Sequence, residues 1–187
     1  MKPIQSMKAA TEDTPYVVEY HAYDPRLPDV FEQIKRLIQT AAGPVLVEHV
    51  GSSSIPGIGG RNVLDIAVSA AESRHTDIRQ AMYALGFEDS PFPHYLPLLV
   101  GQLAHESESE SESEKYQVLL YIVSPESPVL AGWLKFRAHM RGHPEDAQAY
   151  CAAKQEAVAR GKTEGGDYQE AKSPFLAVIS AKLRSAT

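Results

Sequence analysis

The spacing of apolar residues changes along the chain, and each change marks an element. Val30, Ile34, Leu37, Ile38 and Ala41 fall at i, i+4, i+7, i+8 and i+11 with Glu32, Lys35 and Arg36 turned away, which predicts a helix stopped by Gly43-Pro44. Residues 15–28, rich in Tyr and Pro, are expected to run extended into it. Residues 45–50 and 63–68 read as two apolar strands, the second carrying one carboxylate, Asp65, in its middle. A shorter helix is predicted over 74–85, with Ile78, Met82 and Leu85 inward and Gly86 closing it. The proline-broken stretch 87–100 is expected to be irregular, with a short strand near Leu98, and 116–123 is the most strand-like segment of all. From Val129 onward the period is helical: helices near 129–141, 145–160 and 173–185, separated by His143-Pro144 and by 161–166, with Ser173-Pro174 as N-cap and first residue of the last.

Strands interleaved with two early helices, then a run of helices, predict an α+β fold: a small mixed sheet with flanking helices and a C-terminal helical subdomain. The 187 residues suffice for one core, and a 43% hydrophobic content excludes wholesale disorder. No apolar run approaches a membrane span, residues 1–14 are polar and unlike a signal peptide, and a single cysteine makes no internal disulfide. A cytoplasmic location is expected.

The net charge of −6 argues against broad nucleic-acid coating but is unevenly spread. Residues 1–132 carry nine Lys/Arg and eighteen Asp/Glu, whereas 133–187 carry nine and six. Five of the acids stand in the alternating Ser/Glu tract 106–114, which repels itself and buries nothing. The expected organisation is a disordered segment 1–14, an α+β core over 15–128 with a disordered loop at 105–115, and a helical subdomain over 129–187.

Between the two apolar strands lies Gly51-Ser-Ser-Ser-Ile-Pro-Gly-Ile-Gly-Gly-Arg61-Asn62. Four glycines and three serines there are costly unless the backbone approaches something closely. Gly51, Ser52 and Ser53 offer N–H groups and hydroxyls suited to phosphate oxygens. A buried Asp65 needs a metal, a cationic partner or an opening to solvent, and Arg61, four residues earlier, is a candidate partner. Residues 49–66 resemble the central motif of the GrpB family, HxGSTSVPGLxAKPxIDI, and the tail agrees. Leu134-Lys-Phe-Arg137, Arg141-Gly-His-Pro-Glu145, Tyr150 with Lys154, and Tyr168, Lys172 and Phe175 resemble LxFRDxLRxHPE, YxxxK and YxxxKxxF, and Tyr20 to Pro25 resembles the opening segment. The resemblance, over about residues 17–183, implies a nucleotidyltransferase-like fold, in which a Gly-Ser loop holds a triphosphate and carboxylates on neighbouring strands hold Mg²⁺.

Departures qualify that implication. Ala67 stands where many nucleotidyltransferases carry a second Asp, both histidines of the family's HLHV strand are missing at 119–122, Arg61 replaces a Lys, and Ala138 replaces an Asp. Two-metal transfer needs at least two carboxylates; Asp65 is one, and Glu48 on the neighbouring strand is the other candidate. In the tail, Arg137 and Arg141 share a helical face, and Tyr150/Lys154 and Tyr168/Lys172 repeat the i, i+4 spacing, offering cations to phosphates or packing the tyrosines with solvated lysines. His49 is expected to orient the loop or serve as a satisfied core histidine. His139 and His143 have a metal-compatible spacing without a third ligand, Cys151 reads as an inert core residue, and Ser52, His49 and Asp65 lack the surroundings of a hydrolytic triad.

Three functions are therefore expected. One is a transferase with phosphates at the Gly51–Ser53 loop, Mg²⁺ at Asp65, and Arg61, Arg137, Arg141, Lys154 and Lys172 neutralising charge. A second, implied by resemblance to the arginine-containing cyclodipeptide synthases, is aminoacyl transfer from a tRNA acceptor end, with Asp65 and Glu48 receiving a guanidinium. The third is a nucleotide- or partner-binding module without catalysis.

Overall fold

The computed structural model describes residues 19–90, 98–104, 115–162 and 165–185. The expected disorder at 1–14 and in the Ser/Glu tract 105–114 falls outside the described residues. Lys115, by contrast, opens a strand and pairs with Ala104 across the sheet.

Five helices, α1 (Leu27–Ala42), α2 (His75–Ala84), α3 (Pro128–Gly142), α4 (Pro144–Ala159) and α5 (Gly165–Ser185), surround strands β1 (Leu46–Val50), β2 (Val63–Ser69), β3 (Glu88–Asp89), β4 (Leu98–Ala104) and β5 (Lys115–Val123). The strands form one mixed sheet in the order β1-β2-β5-β4-β3. Only β2 and β5 pair in parallel; every other neighbour is antiparallel. The α+β class expected is the class found.

Alternation of side chains splits the sheet into two faces. Val47, Leu64, Ile66, Val68, Val118 and Leu120 point to one face and bury Val30, Ile34 and Ile38 of α1 with Ile78 and Met82 of α2. The buried stripe of α1 keeps Val30, Ile34 and Ile38 of the expected one and extends towards the N-terminus: the helix starts at Leu27, Leu27 and Phe31 are buried, and Ala41 is exposed. The other face, with Val50, Val63, Ala67, Leu119, Tyr121 and Val123, is covered by Leu130, Trp133 and Leu134 of α3. The first helix of the tail, α3, thus lies against this face of the sheet.

α5 corrects the expected boundary at Ser173-Pro174. The helix begins at Gly165 and carries Pro174 in its interior. Tyr168 and Lys172, both buried, hold the turns upstream of the proline against the rest of the protein. Ser173 then acts as no cap: its Oγ donates back to the Gln169 carbonyl at 2.9 Å.

Candidate functional site

The β1–β2 loop is pinned at several points. Gly51 has φ +68°, and a Cβ there would land on Asp65 Oδ2, so only glycine lets this backbone lie against the carboxylate. Residues Ser52–Ser54 make a single 3-10 turn, braced by Ser54 Oγ donating to the Gly51 carbonyl at 2.7 Å. Ile55 and Ile58 are apolar feet, buried among Met140, Tyr150 and Ile179 of the helices. Further on, Gly60 exchanges backbone hydrogen bonds of 2.7 and 2.8 Å with His21.

Two arginines hold the loop from α3. Arg137 Nη1 donates to Glu48 at 2.8 Å and to the His49 carbonyl at 2.6 Å. Arg141 donates to the Ser54 carbonyl through Nε and Nη2 at 3.2 and 2.5 Å. His49 lies on the α1 face of the sheet, stacked on Phe31 at 4.9 Å, and shares a 3.0 Å hydrogen bond with Ser53 Oγ. Burial, with the nearby positive charge of Arg137 and Arg141, depresses it to about 3, so it stays neutral.

Below the loop, one carboxylate faces three cations. Burial raises Asp65 above the ordinary carboxylate range, opposed by the charges of Arg61, Lys172 and Lys154. Lys154 is 1% exposed and Lys172 7%. Lys154 Nζ donates to Ser52 Oγ at 3.1 Å and lies 5.0 Å from the ring centre of Tyr150, one helical turn before it. Lys172 Nζ sits 4.4 Å from the centre of Tyr168, again one turn before, and Arg61 covers the same ring at 5.8 Å. Burial depresses Lys172 to about 7, with Arg61 and Lys154 adding and Asp65 opposing. Lys154 is held at about 8, chiefly by burial. Gly60 also lies close to the cluster, since a Cβ there would stand 2.9 Å from Lys154 Nζ, the tip of a side chain rather than its root.

Beside Gly51 and Ser52 opens a cleft of about 640 Å³ between α3 and α5. Trp133, Phe136, Tyr150, Leu176 and Leu183 make its apolar walls, and exposed Lys135 and Arg184 border it.

Comparison with known proteins decides the family. The sequence profile described as GrpB protein matches residues 17–182. The chain belongs to the GrpB family. A UPF0157 protein of Streptomyces coelicolor is 26% identical over 166 residues, covering 88% of this chain and 83% of the relative. A UPF0157 protein of Halalkalibacterium halodurans is 25% identical over 165 residues, covering 84% and 77%. Among solved structures, the crystal structure of conserved protein GrpB from Enterococcus faecalis covers 86% of this chain and 99% of its own, with TM-score 0.62 at 19% identity. Cid1 in complex with its short product ApU aligns with 73% of this chain and 42% of its own, at TM-score 0.48 and 11% identity, a level at which nothing about function follows.

The donor set of this GrpB chain does not suit the magnesium centre that the resemblance implies. Mg²⁺ takes carboxylates and phosphate oxygens, and a pair of metals takes several carboxylates. On either side of Asp65 its sheet partners are Val50 and Leu119, and the next residue on its own face is Ala67, all buried and apolar. Glu48 shares this face, opposite Ala67, but is tied to Arg137. Among the described residues no three His, Cys, Asp or Glu side chains converge.

Other expectations fall into place around the cluster. Lys154 and Lys172 are buried beside their tyrosines, so the reading with solvated lysines fails. Ser52, His49 and Asp65 form no triad, because His49 and Asp65 point to opposite faces of the sheet and His49 bonds Ser53. His139 and His143 stack at 4.0 Å, with His139 bonded to Asp146, which Lys182 of α5 also grips, so this group ties α3, α4 and α5 together. Cys151 meets the Tyr20 hydroxyl at 2.7 Å. Tyr20 backs the loop at Gly59, a contribution whose only signal in the sequence was the likeness of Tyr20 to Pro25 to the family's opening segment. The cleft was invisible there, being made by residues of two helices roughly 40 positions apart. No described helix is long and apolar enough to cross a membrane.

Proposed function

We propose that this GrpB protein is a nucleotidyltransferase-like transferase that seats the phosphate end of a nucleotide, or of another phosphorylated substrate, against the Gly51–Ser53 loop. Arg61, Lys154 and Lys172 supply the positive charge, and the organic body of the substrate lies in the cleft beside Trp133, Phe136 and Tyr150. Asp65 organises the cations and is the carboxylate placed to take a proton from an attacking hydroxyl or amine. Arg137 and Arg141 hold the loop in shape, and Glu48 serves as the counter-ion of Arg137.

The observation that carries this reading is the pair of buried lysines, Lys154 and Lys172, gathered with half-buried Arg61 around one carboxylate. Burying an ammonium group is costly, and a multiply charged anion seated beside the two lysines would offset that cost. Isothermal calorimetry of the full chain with nucleoside triphosphates and inorganic tripolyphosphate tests the point. Lys154→Met and Lys172→Met are each expected to weaken binding by about tenfold or more. Unchanged affinity in both variants would sink the proposal.

A second reading is favoured by the apolar residues around Asp65. Aminoacyl transfer from a charged tRNA, as in the arginine-containing cyclodipeptide synthases, needs positioning and a base more than a metal pair. In that case the lysines meet the terminal phosphates of the acceptor end, and Asp65 alone remains for an arginyl guanidinium. Mass spectrometry of expressing cells separates the two: an arginine-containing small product supports aminoacyl transfer, and pyrophosphate release from a nucleoside triphosphate supports nucleotidyl transfer. Binding with neither product leaves a binding module.

A further inference from the structure

We infer that the seat holds a polyphosphate chain free of divalent cation, the side chains of Lys154, Lys172 and Arg61 supplying the charge that a protein-bound metal supplies elsewhere. This rests on the phosphate-binding reading above and goes beyond it by specifying the form of the ligand. Two independent features of the site lead to it.

The first is geometric. A second carboxylate that shared a metal with Asp65 would have to rise from the same face of the sheet at an adjacent position. Those positions are Val50, Val63, Ala67 and Leu119, each under 9% exposed and packed beneath α3. All four are apolar, so none of them offers a second oxygen ligand beside Asp65. Glu48, the other carboxylate on this face, has its charge spent on Arg137.

The second is the hydrogen-bonding capacity of the lysines. An ammonium has three donors. Lys154 commits one to Ser52, and Lys172, 93% buried by its 7% exposure, makes no hydrogen bond among the described residues. Its contacts are the Tyr168 ring and the field of Asp65, Arg61 and Lys154. Donors left over on two buried ammoniums, next to a Ser hydroxyl and to backbone that Gly51 and Gly60 let lie close to Asp65 and Lys154, are a set that can donate to several phosphate oxygens at once. A metal already bound to those oxygens would compete with the lysines for the same lone pairs and bring positive charge into a site that has an excess of it.

The test uses the full chain and inorganic tripolyphosphate, with ATP in parallel, titrated calorimetrically in EDTA and in excess MgCl₂ at matched ionic strength. Binding in EDTA is expected, weakened by about tenfold or more once Mg²⁺ complexes the chain. Binding that appears only with Mg²⁺ and vanishes in Asp65→Asn overturns this inference while leaving the phosphate seat intact. Absence of binding under both conditions overturns the phosphate-binding reading itself. The comparison on the unsubstituted protein decides the matter even where a variant folds poorly.

Discussion

Gly51 is the residue on which the site is most narrowly balanced. Its positive φ disfavours any side chain, and the space a Cβ would need belongs to the Asp65 carboxylate. Gly57 in the same loop also has positive φ, +82°, but nothing lies within 4 Å of its would-be Cβ. The two therefore separate strain from collision. Gly57→Ala is expected to cost about 1 kcal/mol, the backbone penalty alone, and Gly51→Ala about 2–4 kcal/mol because Asp65 must also move. Urea denaturation of the two variants measures the difference, and equal losses would show that Gly51 does not press on Asp65. A glycine opening a loop between apolar strands announced close approach in the sequence. What it approaches was not announced, because the contact joins residues fourteen positions apart through the pairing of Val50 with Asp65.

At the scale of elements, α5 carries an avoidable defect. Pro174 is exposed and in the helix interior, where it has no N–H for the Glu170 carbonyl. Pro174→Ala restores that donor and removes the ring clash, and is expected to stabilise the protein by about 1–3 kcal/mol in chemical denaturation. A lower unfolding midpoint would mean that the proline itself helps to fit α5 against α3 and α4. The local signals at Ser173-Pro174 favoured a helix start, and they were outweighed by burial of the Tyr168 ring on the preceding turns. Similar reasoning applies to Arg137 and Arg141. Their shared helical face was legible from the i, i+4 spacing, but their partners, Glu48 and the carbonyls of His49 and Ser54, lie about 90 residues away. Only docking of α3 on the sheet makes them clamps on the loop.

For the molecule as a whole, an acidic chain with a net charge of −6 keeps a buried cationic pocket. The lysines tie anion binding to pH. In the unliganded fold Lys172 and Lys154 are depressed to about 7 and about 8, below the ordinary 10.5, so above pH 7 the unfolded chain binds more protons than the native one. Their contribution makes the free protein gain stability as pH rises from about 7 towards 10. An anion binds the protonated lysines, so its stabilising effect is largest below pH 7 and fades as pH rises through 7 and 8. Sulfate, whose own charge is constant over this range, is the suitable probe. Its shift in Tm is expected to shrink between pH 6 and pH 9, and in Lys172→Met the part of that decline centred near pH 7 is expected to disappear while the part near pH 8, from Lys154, remains. A sulfate-induced shift that is constant over the range would contradict the assignment of the lysines to the seat.

Several properties of this protein were set by the sequence alone. The change of period from 3.6 to 2 and back located the helices and strands. The Gly-Ser run marked where backbone must come close, Asp65 stood out as a charge in an apolar strand, and the paired Tyr-Lys spacing put each tyrosine and its lysine on one helical face. These are local properties, fixed by residues within a few positions of one another. Tertiary structure decided the rest: that Lys154 and Lys172 are buried, that Glu48 answers Arg137, and that Val50, Ala67 and Leu119 surround Asp65 with apolar groups. The reason is physical. Strand register selects which side chains share a face, and packing of distant helices decides whether a charge meets water or another charge. Neither is encoded in any short stretch of chain.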